Sequence, residues 1–319
     1  MGFQFQSVAA VAPMLSDYMN IEHASIGLLI GLYMLPGLFI AIPGGFLGSR
    51  FTDLTMAGIG TFIMSLGAAI SSIDGGFQVF AGGRLLSGAG AVIQGIFVIK
   101  MIVDWFEDAE VSLALALILS GLPLGIAIAM PIGSFLGGNY GWQTMMLTSS
   151  LICLGTLLLL VKLYKTPKSK QFEEAPAEVG GLPRRLLAFT VIGAVIWTLY
   201  NVAYFSYMSF GPAMLIEKEL TLLEAGLVIS VASWASMIAV PLGGVLVEWS
   251  KRPTFIMMTG CLISAFCMVV MPFSDNLYVF SFLIGVFASL PAGVIIAAIT
   301  SAIPTQFRAR TNGILYTFF

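Results

Sequence analysis

The sequence is poor in charge. Of its 319 residues only 9% are Asp, Glu, Lys or Arg, against 58% that are hydrophobic. A soluble domain carries about a quarter charged residues. So few charges cannot cover a water-facing surface, which excludes a soluble globular domain. Histidine is nearly absent: the one copy, His23, lies in a short polar stretch. A metal-dependent hydrolase embedded in a membrane needs a His/Asp/Glu cluster, and one loop histidine does not provide it. No enzyme, metal or cofactor is expected. The three cysteines, Cys153, Cys261 and Cys267, sit inside apolar runs. Their spacing fits neither a disulfide nor a metal framework, and they read as small buried apolar residues. No basic stripe exists, so nucleic acid is not an expected partner. The start, "GFQFQS" after Met1, does not have the basic lead of a signal peptide. All sixteen acidic residues lie at the ends of apolar runs or in connectors. A proton-driven exporter of cations or drugs commonly needs a carboxylate within a span, and this absence counts against that class.

What is present is apolar length. Mean hydropathy is +0.98, and the bilayer is the solvent that suits such a chain, because apolar runs of about 20 residues cross it as helices. The apolar spans read as Phe3–Met14, Ile26–Gly48, Leu54–Ser71, Phe77–Val103, Val111–Leu136 and Met145–Leu163. A polar stretch rich in Lys, Glu, Pro and Gly, residues 164–185, follows and reads as a loop. After it come Leu186–Pro212, Gly226–Val247, Phe255–Pro272 and Val279–Ile303, and Thr311–Phe319 opens one more. The expected organisation is an N-terminal bundle over 1–163, a connecting loop over 164–185 and a C-terminal bundle over 186–319.

The two halves repeat. At a constant offset of 199 residues, Pro13 falls on Pro212, Gly27 on Gly226, Gly44 on Gly243, Leu47 on Leu246 and Ser49 on Glu248. Parallel repeats joined by a cytoplasmic loop build one large class of transporters, with the cargo path at the repeat interface. The repeat also implies that Phe3–Met14, too short to span, is half of a first helix, and that Phe319 stops inside an eleventh; transport by the chain alone is therefore not expected.

The connectors are asymmetric. One side holds Arg50, Lys100, Lys162, Lys165, Lys168, Lys170, Arg184, Arg185, Lys251, Arg252, Arg308 and Arg310. The other holds Lys218 with Asp17, Glu22, Asp74, Glu217, Glu219, Glu224 and Asp275. Basic loops stay cytoplasmic, which places the 164–185 loop inside the cell.

Several motifs carry chemistry. "GGRLLSGAGAVIQG" puts Arg84 within a span, with Gly88 one turn on. A guanidinium there is costly unless it faces a cavity or a partner, and Gly88 lets another backbone approach beside it. Two roles stay open: attracting an anionic group or tuning proton movement, or tying helices together through carbonyls. Lys100 stands four residues before Asp104 and reads as a snorkelling i,i+4 pair. The span after the loop is rich in polar aromatics, with Trp197, Asn201 and Tyr204 on one face. These read as cavity lining. In the first span Gln4 and Gln6 pair with Ala203 and Phe205 in the repeat, and at least one of them is expected to face the cavity. "GFLGSRFTDL" and its repeat "GVLVEWSKR" follow the second and eighth spans.

In the order of these motifs the chain resembles the major facilitator superfamily, and among its members the cyanate and organic-anion permeases. The resemblance implies an all-α membrane protein of two pseudo-symmetric six-helix bundles, of which about ten to eleven spans are present. It implies a secondary transporter moving a small solute, an organic or inorganic anion, by alternating access, with a proton-coupled exporter of drugs or metabolites as the alternative. The cargo, a coupling proton and the lipid bilayer are then the partners, the chain acts as a monomer, and it sits in the inner (plasma) membrane. The turn after the second span is in that family a charge latch on the cytoplasmic face. Here Gly45, Leu47 and Arg50 match it, Ser49 stands at the acid position, and Asp53 is a candidate substitute. The second copy keeps Glu248, Lys251 and Arg252. "GLPLGIAIAMPIGSFLGG" resembles the glycine–proline motif of antiporters, with Met130 in place of a glycine.

Overall fold

The computed structural model describes residues 1–40, 51–106, 114, 117–118, 120–165 and 183–302. It divides the chain into two compact units, Met1–Glu174 and Ala175–Phe319. No strand occurs among the described residues.

The first unit contains α1 (Gly2–Ala10), α2 (Ala12–Met19), α3 (His23–Gly31), α4 (Asp53–Ser71), α5 (Gly76–Trp105), α6 (Gly121–Tyr140) and α7 (Trp142–Leu163). The second contains α8 (Arg184–Glu217), α9 (Leu222–Ser250), α10 (Pro253–Val270), a 3-10 turn (Met271–Phe273) and α11 (Leu277–Ala302). Seven helices among the described residues are long and apolar enough to cross a membrane: α4 to α9, and α10 together with its 3-10 turn. The Thr311–Phe319 span lies outside the described residues, as do parts of Ile26–Gly48 and Val111–Leu136.

The first span, Phe3–Met14 in the sequence reading, is two helices. Pro13 has no N–H to give the carbonyl of Ala9, and its ring crowds that turn. Val11 leaves helical geometry at φ −123° and ψ 14°, and its N–H bonds the carbonyl of Val8 at 3.2 Å, a tighter i−3 contact. The second span breaks as well. After α3, residues 32–36 form turns ahead of a short helical piece at 37–40. The Tyr33 N–H bonds Ile30 O at 3.3 Å and Met34 N–H bonds Gly31 O at 2.9 Å. The carbonyl of Leu29 thereby loses the N–H that a continuing helix would give it.

Small residues set the packing. The α4–α5 seam is lined by Gly60, Gly67, Gly83 and Gly90; a Cβ at Gly60 would lie 2.6 Å from Gln94 N, too close for any side chain. In α6, Gly125, Gly133 and Gly137 press on Phe3, Ala10 and Val11 of the first span. This is the stretch that resembles the antiporter motif, and here its glycines bring two backbones together. Ser65 and Ser150 join α4 to α7 reciprocally, each hydroxyl reaching the other's carbonyl at 3.0 and 2.9 Å. In the second unit α11 packs on α9 and α10, and Gly260 fits its bare backbone against Phe287 O and the Pro291 ring.

Candidate functional site

Arg84 is 1% exposed, in the first third of α5. Its fork is spent on backbone. Nε donates to Leu29 O at 3.2 Å, Nη1 to Gln4 O at 3.0 Å and Nη2 to Phe5 O at 3.3 Å. The guanidinium carbon lies 4.6 Å from the centroid of the Tyr33 ring, a cation–π contact. The glycine one turn on has the use its spacing predicts: Gly88 lies against the backbone of Tyr33, where any Cβ would collide. Arg84 thus joins three helices, and one of its acceptors is the carbonyl orphaned by the break after α3. Its charge has no carboxylate partner among the described residues, where the ion pair found is elsewhere.

The polar side chains of α1 point inward. Gln4 Nε2 donates to Met64 O at 2.8 Å and to Ser87 Oγ at 3.0 Å, and Cys153 Sγ lies 3.8 Å from Gln4 Oε1. Gln6 Nε2 meets Met130 Sδ at 3.2 Å. Gln4 borders a small void of about 40 Å³, with Thr61, Gln94, Ser149 and Thr156. That volume holds a water or two, whereas small-molecule sites run to about 300 Å³ or more. It is not by itself a cargo site.

In the second unit, α8 carries an aromatic ladder. Trp197 and Tyr200 have ring centroids 5.6 Å apart, and Tyr200 and Tyr204 are stacked at 6.4 Å with 7° between planes. Asn201 Nδ2 turns back to Trp197 O at 2.7 Å, so this amide serves its own helix. The hydroxyl of Tyr204, a residue 8% exposed, is buried beside Ser233 and Ser236 of α9, and it makes no well-formed hydrogen bond among the described residues. Next to it, Tyr207 Oη pairs with Ser281 Oγ of α11 at 2.9 Å. Sequence reading missed Ser233, Ser236 and Ser281, because a serine in a span has no signature until its neighbouring helix is placed.

At one end of the first unit a charged cluster joins helix ends. Lys100 Nζ sits 2.9 Å from Asp53 Oδ1. This corrects the expected Lys100–Asp104 pair. A base followed by an acid is the weaker i,i+4 order. Asp53 opens α4, where the helix dipole favours an anion, while Asp104 closes α5, where it does not. Trp105 Nε1 donates to Lys165 O at 2.9 Å, and its ring meets Tyr164 edge-on. Of the other expected latch residues, Gly45 and Arg50 lie outside the described residues. Glu248 is described only as backbone of α9. Lys251, left-handed at φ 54°, terminates α9, and Arg252 follows it.

A family model described as Major Facilitator Superfamily matches residues 1–319. The chain is 22% identical over 261 residues to the hexuronate transporter of Bacillus subtilis (strain 168), a match covering 78% of this chain and 61% of that protein. It thus spans less than two thirds of that relative's length. It is 23% identical over 328 residues to the lysosomal dipeptide transporter MFSD1 of Danio rerio, covering 95% and 70%. With the probable L-galactonate transporter of Escherichia coli (strain K12) it shares 26% identity over 132 residues, 41% of this chain and 29% of that one. Among solved structures, a bacterial homologue of the human lysosomal transporter Spinster, inward-facing and occupied, superposes with a TM-score of 0.76 at 16% identity, covering 99% of this chain and 76% of that one. A D-xylose–proton symporter gives 0.73 at 14%, covering 99% and 84%. These two structures speak to the fold.

Proposed function

This chain belongs to the major facilitator superfamily, and we propose that it is a secondary transporter that moves a small organic acid, of the sugar-acid kind, by alternating access. The observation that carries the reading is the unit charge of Arg84, fully buried and without a carboxylate partner among the described residues. A buried cation whose fork is taken up by carbonyls does not grip cargo directly. It sets a positive field through the first unit, and in a low-dielectric interior such a field favours an anion and opposes a cation. The names of two relatives, a hexuronate and a galactonate transporter, are in keeping with an acid that carries hydroxyls. In the second unit, the rings of Trp197 and Tyr204, with Asn201 and the serines beside them, offer stacking and hydroxyl chemistry of the kind a hydroxylated acid uses. Gln4 and Gln6 shape the α1 side. As gate residues we assign Gly45, Arg50 and Asp53 to the first copy of the turn and Glu248, Lys251 and Arg252 to the second, on the motif alone. We place the chain in the inner membrane as a monomer, as the family resemblance implies; the basic connectors support a cytoplasmic central loop.

Ligand stabilisation tests the cargo class. A hexuronate at millimolar concentration is expected to raise the unfolding temperature of the detergent-solubilised protein, and the neutral hexose of the same skeleton is not. Stabilisation by a lipophilic cation with none by any organic acid would overturn the reading in favour of an exporter.

A further inference from the structure

In the first unit Pro13 parts α1 from α2, and α2 runs on to Met19. In the second, Pro212, its mate at the 199-residue offset, stands inside α8 and takes one hydrogen bond out of that helix. The stretch beyond each proline is thus joined to the rest of its span at a weak point. Each stretch is also fastened at its far end. Tyr18 Oη donates to Asp74 Oδ2 at 2.5 Å, reaching the connector between α4 and α5. Lys218 Nζ donates to Ser274 O at 2.8 Å, reaching the connector between α10 and α11. Lys218 stands 200 residues after Tyr18, and Ser274 stands 200 after Asp74. We propose that these two contacts are one device present twice. It is a clasp that ties the end of each unit's first span to the connector between that unit's third and fourth spans, so that the stretch beyond the proline stays with its own unit instead of bending away.

The turns that present the two donors are built alike. Asn20 and Glu219, 199 residues apart, are both left-handed, at φ 50° and 67°. Such a backbone is uncommon outside glycine, yet both units adopt it at the same step. The Ile21 N–H closes on Ser16 O at 3.1 Å and the Leu220 N–H on Leu215 O at 3.3 Å, the same wide bond at the same offset. Glu22 and Thr221 then cap the next helices. The chemistry of the two contacts differs, so what repeats is the position and not the residue type. A phenol meets a carboxylate in one unit and an ammonium meets a backbone carbonyl in the other; in each, one partner carries charge, which strengthens the bond. Lys218 has Glu217 and Glu219 on either side in sequence, but the ion pair found among the described residues is elsewhere, and its ammonium reaches across to the connector. It also caps α8, at the negative pole of the helix dipole. In the first unit the Tyr18 ring gains a further hold, 5.8 Å from the ring of Trp142 at the start of α7. In a carrier that works by alternating access, as proposed above, such clasps make each first span travel with its unit; the contacts themselves do not depend on that reading.

Amide hydrogen exchange of the full chain in detergent, read by mass spectrometry over residues 14–20 and 213–219, tests the clasps. Tyr18→Phe removes the donor and keeps the ring. Exchange over 14–20 is expected to quicken about three- to fivefold, with 213–219 unchanged. Lys218→Met should do the reverse. Asp74→Ala should reproduce Tyr18→Phe, and the double variant should exchange no faster than either alone, since both remove one contact. Exchange at the wild-type rate in Tyr18→Phe or in Lys218→Met overturns the proposal, because the device must act in both units. A variant that quickens both segments alike reports a general loss of stability and overturns it too. Should Tyr18→Phe or Lys218→Met fail to fold, Asp74→Ala and Lys218→Gln decide in their place. No cargo enters the measurement. A negative result therefore leaves the transport reading standing, and a failed hexuronate test leaves the clasps standing.

Discussion

The most discriminating perturbation is at Arg84, because replacements that look conservative and radical should act in an unexpected order. Arg84→Met keeps the length of the stem and removes the fork. Three hydrogen bonds from a charged donor go, each worth about 1.5–3 kcal/mol at good geometry; two of them, at 3.2 and 3.3 Å, belong at the low end. The contact with Tyr33 adds about 0.5–2 kcal/mol to the loss. Against this, the desolvation penalty of a buried ion, several kcal/mol, is returned. What remains is mainly the Leu29 carbonyl, which no helix N–H serves and which costs about 1–3 kcal/mol when left bare. Arg84→Lys keeps the charge and its desolvation penalty. An ammonium on that stem cannot reach three carbonyls spread around a planar fork, so it forfeits about two of the bonds, roughly 3–5 kcal/mol, with nothing returned. The expected order of stability is wild type, then Met, then Lys. For a unit of 174 residues each kcal/mol moves the midpoint by about 2–4 °C. Thermal unfolding of purified protein reads the order. A Lys variant as stable as the wild type, with Met far below both, would show that the charge and not the fork holds the helices, and would refute the reasoning.

The remaining predictions concern packing and orientation. Gly88→Ala should cost about 1–3 kcal/mol, because the new methyl meets the backbone of Tyr33, which cannot yield as a side chain would; unfolding temperature checks it against Gly82→Ala, a glycine with open space around it. Ser65→Ala and Ser150→Ala should be strongly non-additive, since each breaks the same reciprocal pair; a double-mutant cycle measures the coupling, and simple additivity would count against the pair. Tyr204→Phe removes a buried hydroxyl that makes no well-formed hydrogen bond among the described residues and should leave stability unchanged or slightly higher, while weakening stabilisation by a hexuronate. A cysteine placed at Ser169 should resist membrane-impermeant thiol reagents in intact cells, and ready labelling from outside would reverse the orientation.

The class of the protein was legible in one dimension because it depends on totals and periods. A 9% share of charge admits the bilayer and little else, runs of about 20 apolar residues announce helices wherever they stand, and a repeat at constant offset needs no coordinates to be seen. Arg84 was legible as costly for the same reason, and Gly88 as the place where a backbone would come close. Which backbone it is, and where the three arms of the fork go, was decided only by the fold. The Leu29 carbonyl becomes available because the chain tightens after Gly31, and it meets α5 because Gly88 admits the Tyr33 turn. Lys100 shows the limit most plainly. Sequence spacing offers it Asp104 four residues away, yet it pairs with Asp53, 47 residues distant. Spacing knows only a residue's own helix, whereas the side-by-side packing of α4 and α5 sets an acid at a helix start, where the dipole stabilises its charge, within reach of the lysine.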